Sequence, residues 1–227
     1  MDKFYHEALI SKVFFRNRII SWFKRDQRDL PWRIKKDKSN YPYRVLVSEF
    51  MLQQTVVKTV IPYFNRFIIK WPNIEALSKA KENEILIYWQ GLGYYSRAKN
   101  LLKTAKIIQG QYNGKVPNSE EKLIQLPGIG SYASAAVRAI AYNKPSVVVD
   151  GNIKRVIARY CGLKGTLDIN IKLIINAASK LASQKDNELY SQGLMELGAV
   201  ICKPKNPLCN ECKVKKNCQS FINKLQN

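Results

Sequence analysis

Histidine is almost missing from this chain: His6 is the only one in 227 residues. A histidine general base or a mixed Cys/His zinc site is therefore nearly excluded, and acid–base work falls to carboxylates, tyrosine or lysine. Acidic residues are also scarce, 17 against 38 Lys and Arg, which gives a formal net charge of +21. The excess is spread along the chain, so the folded body is expected to bind a polyanion, with affinity that falls as salt rises. No apolar run approaches membrane-spanning length. The opening stretch MDKFYHEALISKVFFRNRII interrupts its apolar positions with charges, unlike the core of an export signal. These absences predict a soluble, cytoplasmic, monomeric protein with no membrane contact and no disulfides. Internal repeats and low-complexity linkers are absent too.

The pattern that remains is helical, and an all-α fold is expected. NEILIYWQGLGYYSRAKNLLKTAKIIQGQY carries apolar residues at helical spacing, broken by GLGYY; SYASAAVRAIAY, NIKRVIARYCGL and IKLIINAASKLAS read as three more helices. Pro42 and Pro62 suit helix starts, and Gly110, Gly114 and Gly162 suit helix ends. The best strand candidate is SVVV, residues 146–149, which reads equally as an apolar connector. The lysine-rich RIKKDKSN, residues 33–40, reads as a loop. A hydrophobic share of 46% supports one large domain or two small ones.

LPGIGSYASAAV, residues 126–137, is the most informative stretch. Pro127 sets a turn, and Gly128 and Gly130 allow positive φ and close approach. A helix follows at once, so its first amides and the positive end of its dipole face outward, where a DNA phosphate can sit. An ordinary interhelical turn is the plain alternative. Such a grip holds the backbone without reading sequence.

Two carboxylates stand out. Asp150, in VVVDGNIKRV, follows an apolar run and precedes a helix, as a cap does; a capping carboxylate is fixed and held ionised. Glu49, in YRVLVSEFMLQQTVV, shares a helical stripe with Val45 and Leu52. Burial there would raise its pKa and keep it protonated, as a general acid requires, although a helical Glu is as often simply ion-paired. One acid and one fixed carboxylate suit cleavage of a glycosidic bond. In a strongly basic protein the substrate would be a nucleoside within DNA, whose base must first leave the stack.

Four of the five cysteines, Cys202, Cys209, Cys212 and Cys218, fall near the C-terminus in C-x6-C-x2-C-x5-C spacing. Four soft thiolates suit zinc or an iron–sulfur cluster, and spacing alone leaves both open. A metal would fold a loop too short to hold itself and present Lys203, Lys205, Lys213, Lys215 and Lys216 to phosphates. Cys161, left over, reads as a small buried apolar group.

In order along the chain, SEFMLQQT, GLGYYSRA, LPGIGSY, VDGNIKRV, ELGAVIC and the cysteine loop resemble the helix-hairpin-helix DNA glycosylase superfamily, and within it the MutY-type adenine glycosylases. The resemblance runs from RDLPWR to Cys218. It implies a bilobed all-α fold. A six-helix lobe at 42–149 would carry the hairpin, and 1–41 with 150–227 would form a second lobe with a [4Fe–4S] cluster on the four cysteines at 202–218. It further implies that Glu49 protonates N7 of a flipped adenine, that Asp150 stabilises the sugar cation or captures it transiently while water attacks C1′, and that Asn152 supports the site. Tyr132 stands where endonuclease III has its lysine nucleophile, so strand cleavage by a lyase step is not expected. The glutamine pair Gln53 and Gln54, with Tyr94, would meet the duplex beside the lesion, Gln54 and Tyr94 as wedges. Trp32, Arg33 and Gln192 would line the adenine pocket, although without the motif match Trp32 and Tyr94 read as core aromatics. The implied partner is double-stranded DNA containing a mismatch or an oxidised guanine.

The chain stops nine residues after Cys218, whereas MutY-type proteins usually continue into a domain that recognises 8-oxoguanine, so the resemblance does not carry over that preference. The insertion-like IKKDKSN also lengthens a loop near the implied pocket. Two other readings stand beside adenine excision. Thymine/uracil mismatch glycosylases share the cysteine loop and the hairpin tyrosine, but typically carry arginines in place of the glutamine pair. A non-catalytic iron–sulfur DNA-binding protein would have no need of both carboxylates.

Overall fold

The computed structural model describes residues 3–34 and 39–224. Residues 35–38, the middle of the lysine-rich segment read as a loop, lie outside the described residues. Among the described residues there are thirteen α-helices and no strand: α1 (Lys3–Ile10), α2 (Lys12–Asp26), α3 (Tyr41–Leu52), α4 (Val57–Lys70), α5 (Ile74–Ser78), α6 (Glu82–Trp89), α7 (Ser96–Gln111), α8 (Glu120–Leu123), α9 (Ser131–Tyr142), α10 (Gly151–Tyr160), α11 (Ile171–Leu181), α12 (Asn187–Val200) and α13 (Gln219–Ile222). No helix of the described residues is long and apolar enough to cross a membrane. The chain divides into two compact units, one of Met1–Gln27 with Asn143–Asn227, the other Arg28–Tyr142.

In the Arg28–Tyr142 unit, α3 is the central helix. Pro42 sits in its first turn, where a missing amide costs nothing. Residues 45–51 are buried without a break, so the helix is enclosed on all sides rather than amphipathic. It packs on α4, α7 and α9. Asn73 caps α5 by accepting the Ala76 amide at 2.8 Å. The aromatic core gathers Phe64, Phe67 and Trp89, none of them measurably exposed.

Pro62 corrects the expected helix start: it lies inside α4. Val56, extended at φ −73° and ψ 146°, begins that helix instead. Pro62 is exposed, and its ring deprives the Lys58 carbonyl of its helical donor. Gly110 likewise lies within the last turn of α7 rather than beyond it, while Gly114, at φ +73°, returns its amide to the Ile108 carbonyl at 3.1 Å.

In the other unit, α10 packs on α11, α12 and α13, and α12 also packs on α2. Two glycines set how closely α12 can lie. A Cβ on Gly193 would stand 2.9 Å from Ile19 and 3.0 Å from Phe23, and one on Gly198 would stand 2.6 Å from the Cβ of Asn152. The SVVV segment, 146–149, is neither strand nor helix. Val148 is buried and Val147 more than a third exposed, so it is the apolar connector of the two readings.

Candidate active site

The Arg28–Tyr142 unit holds Glu49, the glutamine pair, Tyr94, the hairpin, Trp32 and Arg33. Glu49 lies deep in α3 at 6% exposure, between Ser48 and Phe50 at 1% each. Its neighbours Val45 and Met51 are equally buried. The burial foreseen for this carboxyl is present, and the positions on every side of the helix around it are buried as well.

α3 ends at Leu52 with Gln53 as its C-cap, and the chain turns through Gln54 at φ +56°. Gln54 is exposed, whereas Gln53 turns inward enough to donate its Nε2–H to the Gly128 carbonyl at 3.3 Å. Tyr94, 60% exposed, also has a left-handed backbone, at φ +49°. The turn before it is equally constrained: Gly91 has φ +98°, and a Cβ there would meet the Tyr63 hydroxyl at 2.1 Å.

The hairpin joins α8 to α9. Leu126 and Ile129 bury its flanks, and Thr104 Oγ1 donates to the Pro127 carbonyl at 2.9 Å. Its two glycines serve different ends. Gly128 has φ +79°, and a Cβ would fall 2.8 Å from Phe50 and 3.0 Å from Asn100. Gly130 has no positive φ, which corrects half of the expectation, and a Cβ there would meet nothing within 4 Å. Gly130 and Ser131 are exposed at the start of α9 and Tyr132 is half-buried. The helix therefore opens toward free space with its first amides forward.

Trp32, in a 3-10 turn at Pro31–Arg33, is 7% exposed and meets Phe64 edge-on, with ring centres 5.4 Å apart. Arg33 donates to the Arg28 carbonyl at 3.0 Å. Trp32 is thus packed as a core aromatic.

In the other unit Asp150 caps α10. Its Oδ1 accepts the Ile153 amide at 2.6 Å and its Oδ2 the Asn152 side-chain amide at 3.3 Å. Burial raises its pKa, against the lowering effect of those two donors and of the Arg155 charge. Net upward movement is the reverse of what a cap alone would give. Asn152 is itself held, its Oδ1 accepting from Arg155 Nη2 at 2.9 Å. Arg155 also donates to the Gly198 carbonyl at 2.7 Å and the Cys202 carbonyl at 2.8 Å, so one guanidinium connects the Asp150 turn with the first cysteine. Gln192 is buried on α12 and donates to Glu188 at 3.3 Å.

The four cysteines of the loop line one cavity of about 690 Å³. Among the described residues no three Cys, His, Asp or Glu side chains gather closely enough to hold a single metal ion. Four thiols lining one cavity are a donor set that suits zinc or an iron–sulfur cluster. Burial pushes the Cys212 thiol up to about 11 and the Cys218 thiol up to about 12. Arg159 braces the loop through the Lys203 carbonyl at 2.7 Å and the Pro204 carbonyl at 3.0 Å, and its Nη1 lies 3.5 Å from Cys202 Sγ. Lys205, Lys213 and Lys216 are exposed, Lys203 and Lys215 half-buried. Cys161 is wholly buried, as its apolar reading required. Arg155, Arg159 and Gly198 were not foreseen; the only sequence signal was two arginines one helical turn apart after VDGN.

The family described as HhH-GPD superfamily base excision DNA repair protein matches residues 47–190. The adenine DNA glycosylase of Buchnera aphidicola subsp. Baizongia pistaciae is 41% identical over 215 residues, covering 94% of this chain and 60% of that protein. Its counterpart from Buchnera aphidicola subsp. Acyrthosiphon pisum is 40% identical, covering 95% of this chain and 61% of that protein. The chain thus spans about three fifths of the length of these relatives. Among solved structures, a thermostable thymine-DNA glycosylase superposes with a TM-score of 0.81 at 31% identity, covering 94% of this chain and 98% of that one.

Proposed function

The chain belongs to the HhH-GPD superfamily of base excision DNA repair proteins, and from that premise we propose that it hydrolyses the N-glycosidic bond of adenine mispaired with 8-oxoguanine or guanine in double-stranded DNA. The observation that carries this reading is Glu49, an acid buried within α3, in a chain whose second carboxylate, Asp150, is pinned at a helix start. The adenine swings out of the stack. Glu49 gives its proton to N7, so that the bond from C1′ to N9 breaks with its electron pair leaving on the base. Positive charge develops on the sugar, and the ionised Asp150 offsets it until water adds at C1′. Asn152 holds Asp150 in place. The start of α9, with Gly130 leaving space, grips a phosphate. Gln54 and Tyr94 enter the duplex beside the extruded base, while Gln53, bonded to the hairpin, supports them; Trp32, Arg33 and Gln192 contribute to the base pocket. With Tyr132 in place of a lysine, the strand stays intact.

Cys202, Cys209, Cys212 and Cys218 would hold a [4Fe–4S] cluster, which supplies folding free energy to the loop and a rigid base for its lysines. The glycosylase works on DNA as a monomer inside the cell.

Thymine or uracil excision is the second reading, favoured by the likeness to the thymine-DNA glycosylase over 98% of that structure. Gln53 and Gln54 argue for adenine. Labelled duplexes carrying A:8-oxoguanine, A:G, T:G and U:G separate the two. Release of adenine from the first two supports the proposal; preferential release of thymine or uracil ends it.

A further inference from the structure

Two exposed side chains in the Arg28–Tyr142 unit, Gln54 and Tyr94, sit on backbone at φ +56° and +49°. Neither is glycine, and a residue with a Cβ persists there only when its surroundings over-determine it. Arg97, at the start of α7 and 6% exposed, bonds to both turns. Its Nη1 donates to the carbonyls of Phe50 at 3.2 Å, Met51 at 2.8 Å and Gln53. Its Nη2 donates to Thr55 Oγ1 at 3.0 Å and to the carbonyls of Leu92 and Gly93, each at 3.1 Å. The same guanidinium lies 5.3 Å from the Tyr94 ring centre and 5.5 Å from that of Trp89. One planar fork therefore closes the turn that presents Gln54 and the turn that presents Tyr94, through six neutral oxygens. A lysine, with three donors on a single nitrogen, cannot serve both turns.

We propose that Arg97 is a positioning residue for duplex invasion: it locks the Gln54 and Tyr94 turns to one another, so that both side chains meet the DNA already ordered. Ordering done in the free protein is not charged against binding or base extrusion. The proposal rests on the base-excision reading, because it needs a duplex to be opened.

The test compares single-turnover release of adenine from two duplexes. In one the mispaired adenine is flanked by Watson–Crick pairs. In the other it is flanked by two further mismatches, which unstack it beforehand and spare the protein that step. Arg97→Lys is expected to lose at least about tenfold more rate on the first duplex than on the second. Thr55→Val, which removes one acceptor of the fork, should shift the same ratio in the same direction by less, and carries the comparison if Arg97→Lys does not fold. Amide exchange in the DNA-free protein gives a readout that needs no activity. The Thr55 and Leu92 amides, bonded to Leu52 at 3.3 Å and Trp89 at 3.0 Å, should exchange faster in the variants. The Ile174 amide, bonded to Asn170 at 2.9 Å in the other unit, should not. Equal loss on both duplexes, or no loss on either, overturns the proposal. A wild-type protein that releases no base from either duplex counts against the excision reading, and the exchange rates then still judge the clamp.

Discussion

Asp150 caps the helix it opens, its Oδ1 accepting the Ile153 amide at 2.6 Å. The same carboxylate is proposed to face the sugar cation, so structure and chemistry draw on one group. Asparagine can keep the cap but not the charge. Asp150→Asn should fold as wild type while excision falls on the order of 10²–10³-fold. Asp150→Ala should also lose the cap, about 1 kcal/mol, or roughly 2–4 °C in melting temperature for a chain of this size.

The pH dependence has a definite sign. Burial raises the Asp150 pKa above its ordinary 3.8, so the folded state favours the protonated acid. The stability this contributes is full below the unfolded value and is lost as pH rises through the folded one. Melting curves at acid and neutral pH should therefore show Asp150→Asn gaining on wild type as pH rises from about 3.8. A constant difference would contradict the desolvated environment.

The hairpin glycines should separate folding from binding. Gly128→Ala forces a left-handed alanine against Phe50 and Asn100, costing about 1–2 kcal/mol for the backbone alone. Gly130→Ala meets open space and should melt with wild type, yet bind duplex several-fold to roughly tenfold more weakly, because its methyl crowds the phosphate seat. Melting curves and duplex titrations measure the two effects separately. Equal binding by Gly130→Ala would place the phosphate elsewhere.

Metal uptake by the cysteine loop should strengthen with pH, because thiols held near 11 and 12 in the folded loop must release protons to become ligands. Proton release on reconstitution, followed by visible absorption, tests this. Chelation should expose the chain near Lys213 and Lys216 to trypsin. Duplex affinity should fall with salt, and removing both lysines should lower the slope of log K against log salt by about 2, near 0.9 per phosphate contact.

The helices were legible where apolar period and punctuation agreed: SYASAAVRAIAY is α9 residue for residue. Pro62 was not, because a proline inside a helix is locally unfavourable and is tolerated in α4 only through packing, which no local signal reports. Glu49 could be picked out as an acid among apolar residues, but a stripe of three positions could not reveal that α3 is enclosed all round. Arg97 and Arg155 escaped notice for a common reason. Each acts through backbone carbonyls distant in sequence, and a carbonyl has no letter in the sequence. Trp32 could be read as pocket or core, and its edge-on contact with Phe64 gives it a packing role that the letter alone could not decide.

Glu49 is proposed to give a proton while Asp150 offsets the charge on the sugar. The most direct test is single-turnover adenine release from an A:8-oxoguanine duplex by wild type, Glu49→Gln and Asp150→Asn, with duplex affinity measured alongside. Both variants should hold the duplex within a few-fold of wild type and lose release by about 10²-fold or more. Release within a few-fold of wild type by either variant would contradict the assignment.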